Sequence, residues 1–123
     1  MHHHPGHTEG SSSYSMVVTS ENNQEYNVLI ANMGTINNGK KLTINPTYDG
    51  VAEDFIATYQ RQKQMDVDVW VAAHNSQYNM HEKYRSGQSY DAETFVDPEG
   101  FLRAIEELER KYEDYVAAER SSN

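Results

Sequence analysis

The chain of 123 residues contains no cysteine. This absence excludes disulfide bonds, thiolate metal sites and cysteine nucleophiles together. Any metal ion that the chain binds must therefore be held by histidine and carboxylate side chains.

Long apolar runs are also missing. No stretch approaches the run of about 18 apolar residues that a membrane helix needs, and the N-terminus lacks the basic and apolar regions of a signal peptide. Only 37% of the residues are hydrophobic, below the roughly 45–50% usual for a globular domain. We expect residues 1–123 to form a single domain, or one half of a larger one, whose core is thin or shared.

Basic residues are scarce, with 10 lysines and arginines against 19 acidic residues and a net charge of −9. This balance disfavours nucleic acid and anionic membrane surfaces as partners. We therefore expect neither nucleic acid nor a membrane to bind this chain.

Two short segments, residues 13–19 and 25–31, have alternating apolar positions on either side of a polar run. This pattern predicts an antiparallel hairpin. The glycine- and asparagine-containing residues 33–39 then predict a loop. A third strand is predicted over residues 66–72, where three valines alternate with Asp68 and Trp70.

Apolar residues at intervals of three and four predict helices over residues 51–64 and from Asp97 onward. Asp49 is available as a cap for the first, and Asp97 precedes a proline at the first position of the second. Asn79 and Glu82 have the spacing of a capping box and predict a short helix that ends near Tyr84.

Histidines are found at two places that have the chemistry of a metal site, residues 2–7 and His74. Each lies at or near the end of a probable strand, where its ring can point off the sheet edge into a shared pocket. Neutral imidazole is a good zinc ligand. On spacing alone, two histidines so far apart define no motif.

Each histidine also has a structural interpretation. Residues 2–4 directly follow Met1 and could be the remnant of a purification tag. A lone histidine after a strand, such as His74, is more often a structural residue than a ligand. His81, beside Glu82 in a helical turn, is interpreted as a surface residue.

Three segments resemble the metallo-β-lactamase family. Residues 4–11 (HPGHTEGS) are similar to its PGHTxGS segment, whose histidine completes the first zinc site. Residues 28–33 followed by 40–42 resemble the strand and substrate-facing loop of the B3 subclass. Residues 68–78 (DVWVAAHNSQY) resemble the segment whose histidine serves the second zinc. With the acidic terminal helix, the resemblance covers essentially the whole chain.

The resemblance implies an α/β (α+β) fold, namely the C-terminal half of an αββα sandwich with one mostly antiparallel β-sheet covered by helices. It also implies that the whole enzyme hydrolyses a β-lactam amide with a hydroxide held between two zinc ions, His7 binding the first and His74 the second. One metal lowers the pKa of the bound water, and the pair stabilises the developing charge. The family location is periplasmic.

The same resemblance gives three candidate substrate-binding residues, Met33, Thr35 and Ser76. Met33 and Thr35 fall in the loop where many B3 enzymes present hydroxyl groups to the substrate carboxylate. Thr35 can donate such a hydrogen bond and Met33 cannot. Alternatively, Met33 fills an apolar gap under the loop.

The chain departs from the family in one decisive respect, because the HxHxDH motif that supplies the other zinc ligands is absent from its 123 residues. A catalytic zinc normally needs about three protein ligands, and one histidine per metal does not meet this requirement. We therefore expect the isolated chain to be inactive as a β-lactamase.

Two hypotheses follow. The chain is either the C-terminal half of a zinc-dependent β-lactam hydrolase, or of another metallo-hydrolase of the superfamily, or else a noncatalytic module that assembles with itself or a partner. Without a facing sheet, apolar side chains along residues 26–30 and 67–71 would lose their cover. We expect the missing N-terminal half or a two-fold homodimer partner to cover them. We also expect His7 and His74 to share one sheet edge, after neighbouring strands.

Overall fold

The computed structural model describes residues 1–122, which form a four-stranded sheet with helices packed on one face. The strands are β1 (His2–His3), β2 (Ser12–Thr19), β3 (Glu25–Ala31) and β4 (Val69–Ala72). The helices are α1 (Val51–Lys63), a 3-10 helix (Asn75–Tyr78), α2 (Met80–Lys83) and α3 (Pro98–Ser121). Within this part of the chain, no helix is long and apolar enough to cross a membrane.

The sheet has the strand order β1-β2-β3-β4. The first two pairings are antiparallel, and β3 pairs with β4 in parallel. Because parallel neighbours need a long crossover, helix α1 lies in the connection between β3 and β4. The predicted hairpin and the predicted mixed, mostly antiparallel fold are both confirmed.

The third predicted strand is shorter than expected, since β4 begins at Val69. Just before β4, the carboxylate of Asp68 accepts a hydrogen bond from the Asn27 main-chain N–H at 2.8 Å. A side-chain oxygen, and not a main-chain carbonyl, is therefore the acceptor at this point of the pairing with β3. Within β4, Trp70 is the residue that packs toward the helices, with its ring centroid 5.4 Å from that of Phe101. The largest side chain of the strand therefore fills the space under α3.

Two predicted helices begin where the sequence indicates, at Val51 and after Asn79, but their predicted side-chain caps are wrong. Helix α1 begins after Gly50, which has φ 88°, and no side chain caps it, so Asp49 is not the cap. Asn79 adopts the left-handed conformation at φ 55° and does not cap α2. The predicted start of α3 is confirmed, because Asp97 Oδ1 accepts a hydrogen bond from the Gly100 N–H at 3.1 Å.

The core lies between the sheet and helices α1 and α3. Three aromatic rings form its centre, with centroids of Phe55, Tyr59 and Tyr112 separated by 5.9–6.0 Å. Leu29 and Ala31 of β3 are buried beneath them. Burial of these rings accounts for the helical periodicity seen in the sequence.

Among residues 1–122 no helix or further strand covers the opposite side of the sheet, and we call this side the bare face. The register pairs Tyr14 with Ile30, and Ile30 with Val71, so these residues point to the same side. The bare face consists of Tyr14, Met16, Val18, Tyr26, Val28, Ile30, Val69 and Val71. Ile30 and Met16 are 45% and 44% exposed. An uncovered apolar set was expected and is present.

The N-terminal histidines are an integral part of the fold. β1 pairs with the start of β2, His2 facing Ser13 and His3 facing Ser12. His4 is only 3% exposed. These contacts do not fit the alternative that residues 2–4 are an appended tag.

Candidate metal-binding edge

Three strands end at the same edge of the sheet. His3, at the end of β1, pairs with Ser12 at the start of β2. Ala31, at the end of β3, pairs with Ala72 at the end of β4. Because β2 runs antiparallel to both of its neighbours, the segments that follow β1, β3 and β4 all leave the sheet at the same edge.

These three segments carry His7, Met33 with Thr35, and His74. The two histidines therefore share one edge, as the sequence predicts. The strands that lead to them are not neighbours, however, because β2 and β3 lie between β1 and β4. That part of the prediction is wrong, and the long loop after β1 is what carries His7 toward the segment after β3.

The ring of His7 is oriented by the loop after β3. Its Nδ1 lies 2.8 Å from the Thr35 carbonyl oxygen and 3.1 Å from the Thr35 hydroxyl oxygen. A carbonyl oxygen only accepts hydrogen bonds, so Nδ1 carries the proton and donates it. The lone pair of Nε2 is then left as the metal-binding atom, in the arrangement that metal-ligating histidines commonly adopt.

The loop that carries His7 lies directly on helix α1. Gly6 has φ 138°, and a Cβ atom there would come within 2.7 Å of the Phe55 ring. The carbonyl of Pro5 accepts a hydrogen bond from the Thr58 hydroxyl at 2.7 Å. A side chain at Gly6 would thus push His7 away from its position.

His74 lies two residues beyond β4 and is exposed. The Gln77 side-chain oxygen accepts a hydrogen bond from the His74 N–H at 3.3 Å, and the Gln77 N–H donates to the His74 carbonyl at 3.0 Å. Tyr78 packs edge-on against Trp70, with ring centroids 6.2 Å apart. The turn that follows His74 is therefore anchored in the core.

The three predicted substrate-binding residues come together. Met33, Thr35 and Ser76 line one cleft of about 510 Å³, whose opposite wall is formed by α3 with Arg103 and Lys111. Met33 is 6% exposed, so most of its side chain fills the space under the loop. This burial fits the interpretation that Met33 fills an apolar gap, and a contact with substrate stays a prediction.

Sequence reasoning missed Lys40. Its Nζ donates a hydrogen bond to the main-chain carbonyl of His7 at 2.7 Å. The two residues are 33 positions apart, and no local pattern indicates such a contact. The resemblance of residues 28–33 and 40–42 to a substrate-facing loop pointed to this region, but not to the contact with His7.

A buried polar cluster that sequence reasoning also missed lies beside this loop. His4 Nδ1 is 2.7 Å from the Ser13 hydroxyl oxygen, and Ser13 also accepts a hydrogen bond from the Asn32 N–H at 2.9 Å. Burial lowers the pKa of His4 from 6.5 to about 4, and the nearby charges of His2, Arg61 and His3 act in the same direction. His4 is consequently neutral and structural near pH 7.

Among residues 1–122 no three histidine, aspartate or glutamate side chains are grouped closely enough to hold a metal ion. His7 has its Nδ1 bonded to Thr35 and its Nε2 left for a metal, and His74 lies at the same edge of the sheet. Their roles as ligands of two zinc ions stay predictions.

Solved structures show that this half-covered sheet with its histidine-bearing edge has the fold of one half of a metallo-β-lactamase. The class B3 di-zinc metallo-β-lactamase LRA-12 from an Alaskan soil metagenome is 40% identical, with TM-score 0.84 over 91% of this chain and 42% of its own. GOB-18 from Elizabethkingia meningoseptica is 35% identical, with TM-score 0.85 over 94% and 43%. The chain corresponds to the C-terminal half of a class B3 metallo-β-lactamase.

The chain is thus less than half the length of these relatives. BJP-1 of Bradyrhizobium japonicum, a subclass B3 metallo-β-lactamase, is 26% identical and has TM-score 0.89 over 98% of this chain and 45% of its own. No family model matches the chain, and no curated protein sequence matches it.

Proposed function

We propose that residues 1–123 form a single domain, the C-terminal half of a zinc-dependent β-lactam hydrolase. In this proposal His7 binds the first zinc ion and His74 the second. Met33, Thr35 and Ser76 border the substrate, with Thr35 as a hydroxyl donor to its carboxylate. The zinc ions, when bound, would supply the hydroxide that attacks the amide.

The observation that carries the proposal is the joint position of these residues. The segments that carry His7 and His74 leave the sheet at one edge. Met33, Thr35 and Ser76 line one cleft between this edge and α3, and neither histidine is part of its lining. The Thr35 carbonyl orients the His7 ring with its Nε2 free. The 40% identity to a class B3 enzyme supports the same assignment.

The isolated chain is expected to be inactive. It offers one imidazole to each metal, whereas catalytic zinc normally has about three protein ligands. The remaining ligands would come from an N-terminal half that contains the HxHxDH motif. A periplasmic location of the complete protein is part of this proposal, and fractionation of cells that express the full-length gene would test it.

Complementation tests the function directly. The purified 123-residue chain is assayed with a chromogenic cephalosporin and zinc, alone and after co-refolding with the N-terminal half of a class B3 relative. We expect no hydrolysis by the chain alone and zinc-dependent hydrolysis by the pair. His7→Ala and His74→Ala should abolish the activity of the pair.

His81→Ala is the matched control, because His81 is an exposed histidine on α2, and its activity should equal that of the parent. Zinc-dependent hydrolysis by the chain alone would contradict the assignment of missing ligands. A folded pair that binds zinc but hydrolyses another ester, thioester or amide instead would indicate a different metallo-hydrolase of the superfamily.

The bare face favours a second candidate, a noncatalytic module that assembles with itself. Burial of apolar surface contributes about 25 cal/mol per Å², so covering the apolar side chains of the bare face favours association. A two-fold homodimer satisfies a self-complementary patch most simply. In the hydrolase proposal the N-terminal half covers the same face.

Light scattering distinguishes these states. A dimer of the chain alone that dissociates when the N-terminal half is added supports the hydrolase proposal. A dimer that persists in the presence of that half, without hydrolysis, supports the self-assembling module. A stable monomer with cooperative unfolding would show that the bare face needs no partner.

A further inference from the structure

Lys40 connects the loop after β3 to the segment that carries His7. Its Nζ donates to the His7 carbonyl at 2.7 Å and lies 5.9 Å from the centre of the Tyr48 ring. The lysine is partly buried. A hydrogen bond from a charged donor to a carbonyl is stronger than one between neutral groups, so this contact restrains the main chain of His7.

Helix α3 holds the main chain at Lys40 in place. The Tyr115 hydroxyl donates to the Lys40 carbonyl at 2.5 Å. Two residues further on, the Glu119 carboxylate accepts hydrogen bonds from the N–H groups of Leu42, Thr43 and Ile44 at 3.2–3.3 Å. The loop is therefore anchored to a long helix at the Lys40 carbonyl and at the three residues 42–44.

His7 is thereby fixed at two points. The Thr35 carbonyl, 2.8 Å from Nδ1, directs the ring, and Lys40 fixes the main chain from which the ring projects. Without the hydrogen bond from Lys40, the main chain of His7 loses this second restraint and can shift. A shift would move Nδ1 away from the Thr35 carbonyl. The imidazole would then no longer be restricted to the tautomer that carries the proton on Nδ1.

We propose that Lys40 is a positioning residue for His7, linking helix α3 to the metal-binding edge and holding His7 in the tautomer that leaves Nε2 free. The inference rests on the proposed role of His7 as a metal ligand. Loss of an outer residue that orients a ligand typically costs 10–100-fold in metal affinity. We expect a loss of that size from Lys40→Met.

The first experiment uses the 123-residue chain without metal. Long-range ¹H–¹⁵N correlation spectra under mildly alkaline conditions report which ring nitrogen of His7 carries the proton, with the signals assigned through His7→Gln. The parent should show the Nδ1–H form. Lys40→Met should show a mixture of tautomers or broadened His7 signals, and Lys40→Arg, which keeps a charged donor, should restore the parent spectrum.

Lys41→Met is the matched control. Lys41 is exposed in the same loop, and its replacement removes the same charge without removing the bond to His7. Its His7 spectrum should equal that of the parent. If Lys40→Met also leaves the His7 spectrum unchanged, the inference is overturned, and thermal melts of all variants show whether any spectral change arises from global unfolding.

The second experiment measures zinc affinity of the complemented pair by competition with a chelator. Lys40→Met should weaken zinc binding about tenfold or more, and Lys41→Met should not. Equal affinities of the two variants would overturn the inference. Failure of the proposed function gives a different result, namely a pair that binds no zinc at all. The tautomer experiment, which uses the metal-free chain, would then still decide the role of Lys40.

Discussion

The imidazole of His4 and the hydroxyl of Ser13 lie 2.7 Å apart in the interior of the protein. Ser13 is fully buried and also bonds to the main chain of Asn32, so this pair joins the N-terminal strand to the end of β3. Protonation of His4 costs free energy in the folded protein, because burial disfavours the charged form of an imidazole.

Stability should therefore fall as the pH decreases from 6.5 to about 4, the interval between the ordinary and the lowered pKa of His4. In this interval the unfolded chain binds a proton at His4 that the folded chain does not, so unfolding is favoured as the pH falls. One pKa unit corresponds to about 1.4 kcal/mol, which gives a loss on the order of 3 kcal/mol across the interval. Urea unfolding at a series of pH values measures it.

The variant that tests this prediction is His4→Gln, in which stability should depend less steeply on pH over the same interval. His81→Gln, at an exposed position, should keep the parent slope. Equal slopes for the parent and His4→Gln would show that another group causes the acid sensitivity.

Glu119 should contribute stability in a different pH range. Burial alone would raise the pKa of its carboxyl, but the N–H groups of Ile44, Thr43 and Leu42 outweigh this effect and hold the pKa below 4.5. The stabilisation is therefore present above pH 4.5 and is lost as the pH falls through the lowered value. Glu119→Gln should cost about 2 kcal/mol at neutral pH, since bonds to charged groups contribute about 1.5–3 kcal/mol.

Glu113→Gln is the comparison for Glu119→Gln, because Glu113 is an exposed glutamate on the same helix. It should change the free energy of unfolding by less than about 0.5 kcal/mol. Similar losses for the two variants in chemical denaturation would mean that the contact between α3 and the loop is not what stabilises the protein.

Two neighbouring residues of β3 should lose very different amounts of stability on the same substitution. Leu29 is 1% exposed and Ile30 is 45% exposed, because they point to opposite faces of the sheet. Leu29→Thr should destabilise the isolated chain by about 3 kcal/mol through loss of core packing, and Ile30→Thr by less than about 1 kcal/mol. Ile30→Thr should also reduce self-association in light scattering.

Gly6→Ala should be strongly destabilising. The new Cβ atom would lie 2.7 Å from the Phe55 ring, at a φ of 138° that side chains rarely adopt. Overpacking typically costs about 1–3 kcal/mol, and the backbone strain adds to this. Gly10→Ala is the control in the same segment, because nothing lies within 4 Å of its Cβ position, and thermal unfolding should separate the two variants by several degrees.

Elements whose signals are local could be predicted from the sequence. The hairpin of β2 and β3 follows from alternating apolar residues, and the start of α3 follows from Asp97 and Pro98. The capping box at Asn79 was wrong because asparagine also tolerates the left-handed conformation that it adopts here. Local spacing does not distinguish these two uses of the residue.

Contacts between distant segments could not be predicted from residue spacing. The bond from Lys40 to His7 spans 33 positions, and the bonds from the loop to Glu119 span 75–77. Such pairs depend on how the helices and sheet pack, which no single segment encodes. The candidate metal and substrate residues were found through the resemblance, whereas the groups that hold them in place became visible only in the folded chain.

The bare face has a consequence for the order in which such a protein is made. Ribosomes synthesise chains from the N-terminus, and folding units form as they emerge. In a full-length relative, a preceding sheet would already be folded when β2, β3 and β4 leave the ribosome, so it could receive them as they form. If a rearranged gene encoded this segment first, β2, β3 and β4 would leave the ribosome before the sheet that covers them had been synthesised. We expect the product of such a gene to depend heavily on chaperones to stay in solution.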